Sequence, residues 1–354
     1  MWLALQQANR VLGNTKDNPA VGCILTKNSH AVYAGHTSIG GRPHAEQNVL
    51  KNYNKNFKNT NLYITLEPCS NFGKTSPCVD LIIKKKIKNV YFSIEDPDIR
   101  SFNKSIKKFK KKKISAKHGI LSSYTNSFYR SYIKSRREVL PFVTIKLAIS
   151  KDFYTINKKK NQWITNEYSR GRVHLMRSEH DCIITSSKTV LKDNPEMTCR
   201  INGLEDKSPS RIILDRKLNI SVKSHILKNA KKIETIILHN SPNKKKIKAL
   251  KKEGIKFYRI SSDIEGNLNL YESLLLLKRI GFSRIFVESG INLIKEFLKQ
   301  NLVDEFKLFI SNNKLKNNGA GYAKNILDNF LKNKKIYENN VNLFGDVLKT
   351  YKVQ

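Results

Sequence analysis

The sequence predicts two successive α/β domains, on three observations. Its 354 residues suit two domains of roughly 100 to 200 residues each. Short apolar stretches of strand length alternate with longer stretches of helical period, the pattern of a parallel or mixed sheet covered by helices. Pro141 closes a long helical stretch, because its ring and missing N–H disfavour continuation. The domains are therefore expected at 1–141 and 142–354.

In the first domain an amphipathic helix, Trp2 to Leu12, leads to strands at Val21 to Thr26 and Ala31 to Ala34. A helix starts near Pro43, whose ring is preorganised for a first helical turn. A strand at Asn61 to Leu66, a helix from Pro77, a strand at Asn89 to Ser93 and a basic helix near Ser101 to Lys112 follow. A short strand at Ile114 and a helix from Leu121 to Glu138 close the domain. The second domain alternates again, with strands at Phe142 to Ser150, Asp181 to Thr185, Arg211 to Asp215, Thr235 to His239, Arg284 to Glu288 and Asp304 to Ile310. Between them lie helices at Glu167 to Arg177, Asn243 to Lys252, Tyr271 to Ile280 and Ile291 to Gln300.

Lys and Arg number 66 against 29 Asp and Glu, a formal charge of +37. Only 16 Gly and 9 Pro occur, while Lys, Asn, Ile, Tyr and Phe are abundant. Those five share A/T-rich codons, so base composition by itself accounts for much of the charge. The lysines fall in scattered short runs and one block, Lys107 to Lys113, with Phe109 as its only aromatic. An organised single-strand groove interleaves aromatics with basic residues, so specific nucleic-acid binding is not expected. No run reaches the roughly 18 to 20 apolar residues of a membrane span, and the start lacks a signal-peptide pattern. The expectation is a cytoplasmic protein with no membrane partner.

Five cysteines in such a chain argue against a disulfide framework. Cys23, Cys182 and Cys199 sit singly in apolar stretches and are expected in the core. Cys69 and Cys78 differ. Glu67-Pro68-Cys69 ends a strand, Pro77-Cys78 opens a helix, and Pro43-His44-Ala45-Glu46 opens another. One imidazole and two thiolates leave zinc a fourth position for water, the arrangement of a catalytic site. A helix start favours an anion, which suits Cys78 as a thiolate. Glu46 can then carry a proton from the activated water to a leaving amine. That is hydrolytic deamination chemistry.

The filling between the cysteines, Ser70-Asn71-Phe72-Gly73-Lys74-Thr75-Ser76-Pro77, resembles the loop of the riboflavin-biosynthesis deaminases. Asn18-Pro19-Ala20-Val21-Gly22, Gly35-His36 and Asp96-Pro97-Asp98 stand where that family has substrate-pocket segments. The second half is similar to the reductase part of the same bifunctional family. It matches at Gln162-Trp163-Ile164-Thr165, Thr189 to Pro195, Thr198-Cys199-Arg200, Arg211 to Asp215 and Val287-Glu288-Ser289-Gly290. The resemblance covers essentially the whole chain. It implies a cytidine-deaminase-like α/β/α domain followed by a dihydrofolate-reductase-like α/β domain. It also implies zinc and NADPH as cofactors, a small phosphorylated pyrimidine as substrate, and room for a homo-oligomer. The absence of Gly-x-Gly-x-x-Gly agrees with a cofactor held without the usual dinucleotide fingerprint.

By the same resemblance His44, Cys69 and Cys78 hold zinc and Glu46 shuttles the proton, while Asn18, His36, Lys74, Asp96 and Asp98 line the deaminase pocket. Lys146, Trp163, Thr165, Asp193, Thr198, Arg200, Glu288 and Gly290 belong to the reductase pocket, and Arg177 meets the substrate phosphate with its planar fork. The departures are specific. Asn71 and Ser76 replace a usual His and Pro, and Asn103-Lys104-Ser105 replaces a Gly-x-Gly. Phe153 stands for a glycine, so its loop must differ or carry strain, and Asn161 stands for a phosphate-binding Ser. Two other readings are a deaminase whose second half is degraded and a zinc deaminase acting on nucleic acid.

Overall fold

The computed structural model describes residues 1–73, 75–159, 163–338 and 341–353. The chain divides into two compact units, Met1–Leu140 and Pro141–Gln354.

In the first unit, strands β1 (Gly22–Lys27), β2 (His30–His36), β3 (Thr60–Leu66), β4 (Asn89–Ile94) and β5 (Ser115–Lys117) form one sheet in the order β2-β1-β3-β4-β5. β1 runs antiparallel to β2 and β3, whereas β3, β4 and β5 are parallel. The helices are α1 (Trp2–Asn9), α2 (Ala45–Asn52), α3 (Cys78–Lys84), α4 (Lys104–Lys111), α5 (Ser122–Phe128) and α6 (Arg130–Arg137). α1 lies so close to β1 that a Cβ on Gly22 would come within 1.8 Å of the Ala4 carbonyl oxygen, so only glycine fits there. Leu25, Val49, Leu62, Ile64, Val79, Val90, Phe92 and Tyr129 build the core, each large apolar side chain contributing roughly 1.5 to 3 kcal/mol on burial. The single closing helix expected from Leu121 to Glu138 is two helices. They break at Tyr129, whose buried hydroxyl donates to Ala20 O at 2.9 Å and shares a 2.7 Å hydrogen bond with Thr65 Oγ1.

The second unit contains β6 (Phe142–Ile149), β7 (Tyr154–Asn157), β8 (Cys182–Ser186), β9 (Ser210–Leu214), β10 (Thr235–His239), β11 (Lys256–Arg259), β12 (Arg284–Glu288), β13 (Glu305–Ile310), β14 (Gly319–Tyr322), β15 (Ile336–Glu338) and β16 (Val347–Lys352). Its helices are α7 (Glu167–Ser178), α8 (Ser187–Asp193), α9 (His225–Lys228), α10 (Lys244–Lys251), α11 (Leu270–Arg279), α12 (Ile291–Lys299) and α13 (Lys324–Leu331). Nine strands order as β11-β10-β9-β8-β12-β6-β13-β16-β15, and β14 pairs separately with β7. From β11 to β13 all neighbours are parallel, while β16 is antiparallel to both β13 and β15. The chain leaves β8 toward β9 and leaves β12 toward β13, in opposite directions across the sheet. Such a reversal opens a crevice at the carboxyl ends of the strands, the usual place for a ligand in an open α/β sheet. Cys23, Cys182 and Cys199 are buried, as expected of core residues.

Candidate active sites

In the first unit the ends of two helices and one strand converge. His44 is the N-cap of α2, Cys78 is the first residue of α3, and Cys69 follows β3. His44 Nδ1 lies 3.7 Å from Cys69 Sγ and 3.5 Å from Cys78 Sγ. Ligands at tetrahedral angles on zinc, about 2.3 Å away for sulfur and about 2.0 Å for nitrogen, stand roughly 3.6 Å apart. The three side chains therefore fit that ion. The Cys78 N–H donates to Cys69 Sγ at 3.3 Å, so the start of α3 serves the neighbouring sulfur. The thiol of Cys78, the N–H of Cys78 and His44 together hold Cys69 down to about 4, while Cys78, facing Cys69 in a buried position, is pushed up.

Glu46, on the first turn of α2, is 3% exposed. Burial and the Cys69 thiolate push its carboxyl up to about 7, against the pull of His44 and a hydrogen bond from Cys78. Asn18 packs on Gly41, where φ is +89° and a Cβ would sit 2.5 Å from Asn18 Nδ2. His36 ends β2, and its carbonyl accepts from Asn48 Nδ2 at 2.8 Å. Asp96 is buried, accepts from Tyr132 at 3.1 Å and is pushed by burial up to about 6. Asp98 is engaged by Arg100 at 2.5 Å, which holds it near 2. Lys74 lies outside the described residues, as do Asn161 and Gln162.

A residue that sequence reasoning passed over is Glu67. Its buried carboxylate accepts from the backbone N–H groups of Asp96, Asn103 and Ser105 at 3.1 to 3.2 Å and from Ser105 Oγ at 2.7 Å. It joins the end of β3 to the Asp96 loop and to the start of α4. There Asn103 takes the left-handed conformation with φ +55°, and Ser105 is fully buried. Asparagine tolerates this region and serine is small, so the segment takes a left-handed residue here without glycine. Lys108, from the basic block, reaches Ser70 O at 2.9 Å and Asp80 at 3.7 Å, tying down the residue after Cys69.

In the second unit Lys146, Arg177, Thr198 and Glu288 meet at the strand ends. Glu288 accepts from Arg177 Nε at 2.9 Å and from Nη2 at 3.0 Å, and Lys146 Nζ stands 3.9 Å away. Arg177 Nη1 donates to Thr198 O at 2.8 Å. Arg177, expected to meet the substrate phosphate, here turns its fork to Glu288, and the residue is 8% exposed. Arg200 is exposed, pairs with Glu196 at 3.5 Å and leans on His174 Nε2 at 3.3 Å. Trp163 is exposed beneath the Arg170 guanidinium, which also donates to Thr165 O at 2.8 Å. Asp193 is exposed at the end of α8, and no hydrogen bond among the described residues joins it to this group. Above the crevice Ser186, Thr189 and Ser289 share hydroxyl contacts of 3.0 to 3.1 Å, and Gly290 N donates to Thr189 at 3.4 Å. A Cβ on Gly290 would meet nothing within 4 Å, so the start of α12 faces open space.

Phe153 occupies the left-handed region with φ +69°. The loop keeps the glycine-type conformation rather than changing it, through Phe153 N to Ser150 O and Ala323 N to Phe153 O, both 2.9 Å. Asp152 adds acceptors for Leu315 N and Lys316 N.

Among known proteins, residues 1–94 match the cytidine and deoxycytidylate deaminase zinc-binding region, and residues 141–313 match the RibD C-terminal domain. The chain is 32% identical over 312 residues to riboflavin biosynthesis protein RibD of Bacillus amyloliquefaciens, covering 88% of this chain and 83% of that one. It is 31% identical to RibD of Buchnera aphidicola, covering 94% and 90%. A solved diaminohydroxyphosphoribosylaminopyrimidine deaminase/5-amino-6-(5-phosphoribosylamino)uracil reductase from Thermotoga maritima is 26% identical, with TM-score 0.82 over 99% of this chain and 97% of that chain. The order of a deaminase fold and then a reductase fold agrees with the expectation from sequence.

Proposed function

The chain belongs to the family of riboflavin biosynthesis protein RibD, and from that membership we propose how its own residues carry the two activities. It is a bifunctional deaminase and reductase of riboflavin biosynthesis, with zinc serving the first unit and NADPH the second. The substrate is diaminohydroxyphosphoribosylaminopyrimidine, the compound that the Thermotoga maritima relative's name carries. The observation that carries the residue assignment is the 3.5 and 3.7 Å spacing of His44, Cys69 and Cys78 with buried Glu46 beside them.

Zinc, when bound by these three, polarises water for attack on the ring carbon that bears the amino group. Glu46 takes the proton that the water gives up and passes it to the departing amine, which leaves as ammonia while the ring carbon becomes a carbonyl. Asn18, His36, Asp96 and Asp98 hold the pyrimidine and its ribose phosphate, and Glu67 fixes the loop that presents the two aspartates. NADPH, when bound in the second unit, would supply the hydride that reduces the ribosyl carbon, with a proton from solvent completing the reduction. Lys146 and Glu288 set the charge there, with Arg177 locking Glu288 in place. Arg200, whose guanidinium is exposed, receives the substrate phosphate. The open start of α12 after Ser289-Gly290 suits a cofactor phosphate, since the N–H groups of its first turn and its dipole favour anions. A groove of about 160 Å³ lined by Arg216, Lys217, Asn240, Ser241, Pro242 and Ser262 lies beyond the ends of β9, β10 and β11. Its two cations fit the extra phosphate that separates NADPH from NADH.

Among the described residues no helix is long and apolar enough to cross a membrane, and we place the enzyme in the cytoplasm, where its phosphorylated substrate and NADPH are found. The test is to follow the purified full chain through both steps. Ammonia release should need zinc and Glu46, and NADPH consumption should need the deaminated product. Deamination without zinc, or product formation without NADPH consumption, would overturn the assignment.

A further inference from the structure

His174 stands on α7 one turn before Arg177 and is half-buried. Its Nδ1 lies 3.0 Å from Thr198 O, and its Nε2 lies 3.3 Å from Arg200 Nη2. A guanidinium only donates, and the Arg200 backbone N–H also reaches Nδ1, at 3.2 Å, so the ring meets Arg200 at both nitrogens while Thr198 O lies beside Nδ1. Arg177 Nη1 approaches the same edge, 2.8 Å from Thr198 O and 3.4 Å from Nδ1. One neutral imidazole and one carbonyl thus sit between two guanidiniums, Arg177 turned inward to Glu288 and Arg200 turned outward. Burial and these two arginines hold His174 down to about 4, against the Thr198 carbonyl and the Glu288 carboxylate. Glu196 faces Arg200 from the other side, at 3.5 Å on an exposed side chain.

We propose that His174 is a positioning residue of the reductase step: seated beside Thr198 O and meeting both the backbone N–H and the guanidinium of Arg200, it holds the Arg200 guanidinium in the orientation that receives the substrate phosphate. Without it, repulsion from Arg177 and the pull of Glu196 leave Arg200 free to swing into solvent. A protonated imidazole could not serve, because it has no lone pair for Arg200. The proposal rests on the reading of Arg200 as the phosphate contact.

Reductase kinetics of the full chain test it, with deaminase turnover of the same preparations as the folding control. His174→Ala should raise KM for the deaminated substrate about tenfold, the worth of one charge-assisted hydrogen bond, with kcat and the KM for NADPH changed less than about twofold. His174→Gln should recover most of the loss, since its amide can donate to Thr198 and accept from Arg200. In an Arg200→Ala background the His174 change should add nothing. If His174→Ala does not fold, His174→Asn, too short to span both partners, carries the same expectation. An unchanged KM in His174→Ala beside a raised KM in Arg200→Ala overturns the positioning role alone. An unchanged KM in Arg200→Ala overturns the phosphate reading and the proposal with it. A fall in kcat alone, or an equal effect in both backgrounds, shows a structural role and overturns the proposal too.

Discussion

Replacing Glu288 by glutamine should cost the second unit about 3 kcal/mol at neutral pH. The carboxylate is 16% exposed and stands between Arg177 and Lys146. Burial opposes its charge, yet Arg177 first and Lys146 next bring it from an ordinary 4.5 down to about 2. At about 1.4 kcal/mol per pH unit, that fall is worth roughly 3 kcal/mol. Because the folded value is depressed, the contribution is complete above the unfolded value of 4.5 and is lost as pH drops toward 2. About two-fifths of it should be gone by pH 3.5. Glu288→Gln removes the charge but keeps the shape, leaving two cations facing each other with one neutral acceptor. Urea unfolding of the full chain, with hydrogen exchange in peptides from β12 as the local probe, measures the difference. A gap near 3 kcal/mol at pH 7 that narrows on acidification supports the reasoning. A gap below about 1 kcal/mol, or one that does not change between pH 7 and pH 3.5, refutes it.

Glu46→Gln should bind zinc like the unaltered chain and lose deamination by about 10² to 10⁴-fold, whereas Cys78→Ser should lose most of the metal; metal analysis beside ammonia release separates the two. Arg216→Ala should raise KM for NADPH and leave KM for NADH nearly unchanged, and equal effects on both would remove the groove from cofactor selection. Lys108→Ala should weaken zinc retention against a chelator, because Ser70 O loses its donor, while neutralising Lys107, Lys110 and Lys111 together should alter only salt-dependent adhesion to polyanions. A chelator half-life that is the same in both variants would show that Lys108 is no different from its neighbours.

What could be read in the sequence is what depends on neighbours along the chain. The strands at Thr235 to His239 and Arg284 to Glu288 coincide with their predicted limits, because unbroken apolar runs of that length have one stable use inside an α/β sheet. The zinc triad was legible for a related reason: each ligand follows or opens an element, and turns at element ends converge. The strands β14, β15 and β16 were not predicted. β14 is Gly-Ala-Gly-Tyr, and β16 carries Lys349, Thr350 and Lys352, so neither shows an apolar run, and their pairing is set by β7 and β13 far away in sequence.

The side-chain network of the second unit escaped for the same physical cause. Arg177 on its helix gives no sign of its ion pair until Glu288, 111 residues later, is known to face it. His174 carries no signal beyond its place one turn from Arg177, and Glu67 none beyond ending a strand. The glycine departures teach the complementary lesson. Asn103 and Phe153 both remain at positive φ, +55° and +69°, so loss of glycine did not mean loss of the loop. A left-handed residue other than glycine costs about 1 to 2 kcal/mol, and at Asn103 four hydrogen bonds to Glu67 tie down the surrounding backbone. At Phe153 the paired bonds to Ser150 and Ala323 do the same. Sequence shows where the strain is introduced; only the partners brought in from elsewhere in the fold show that it is offset.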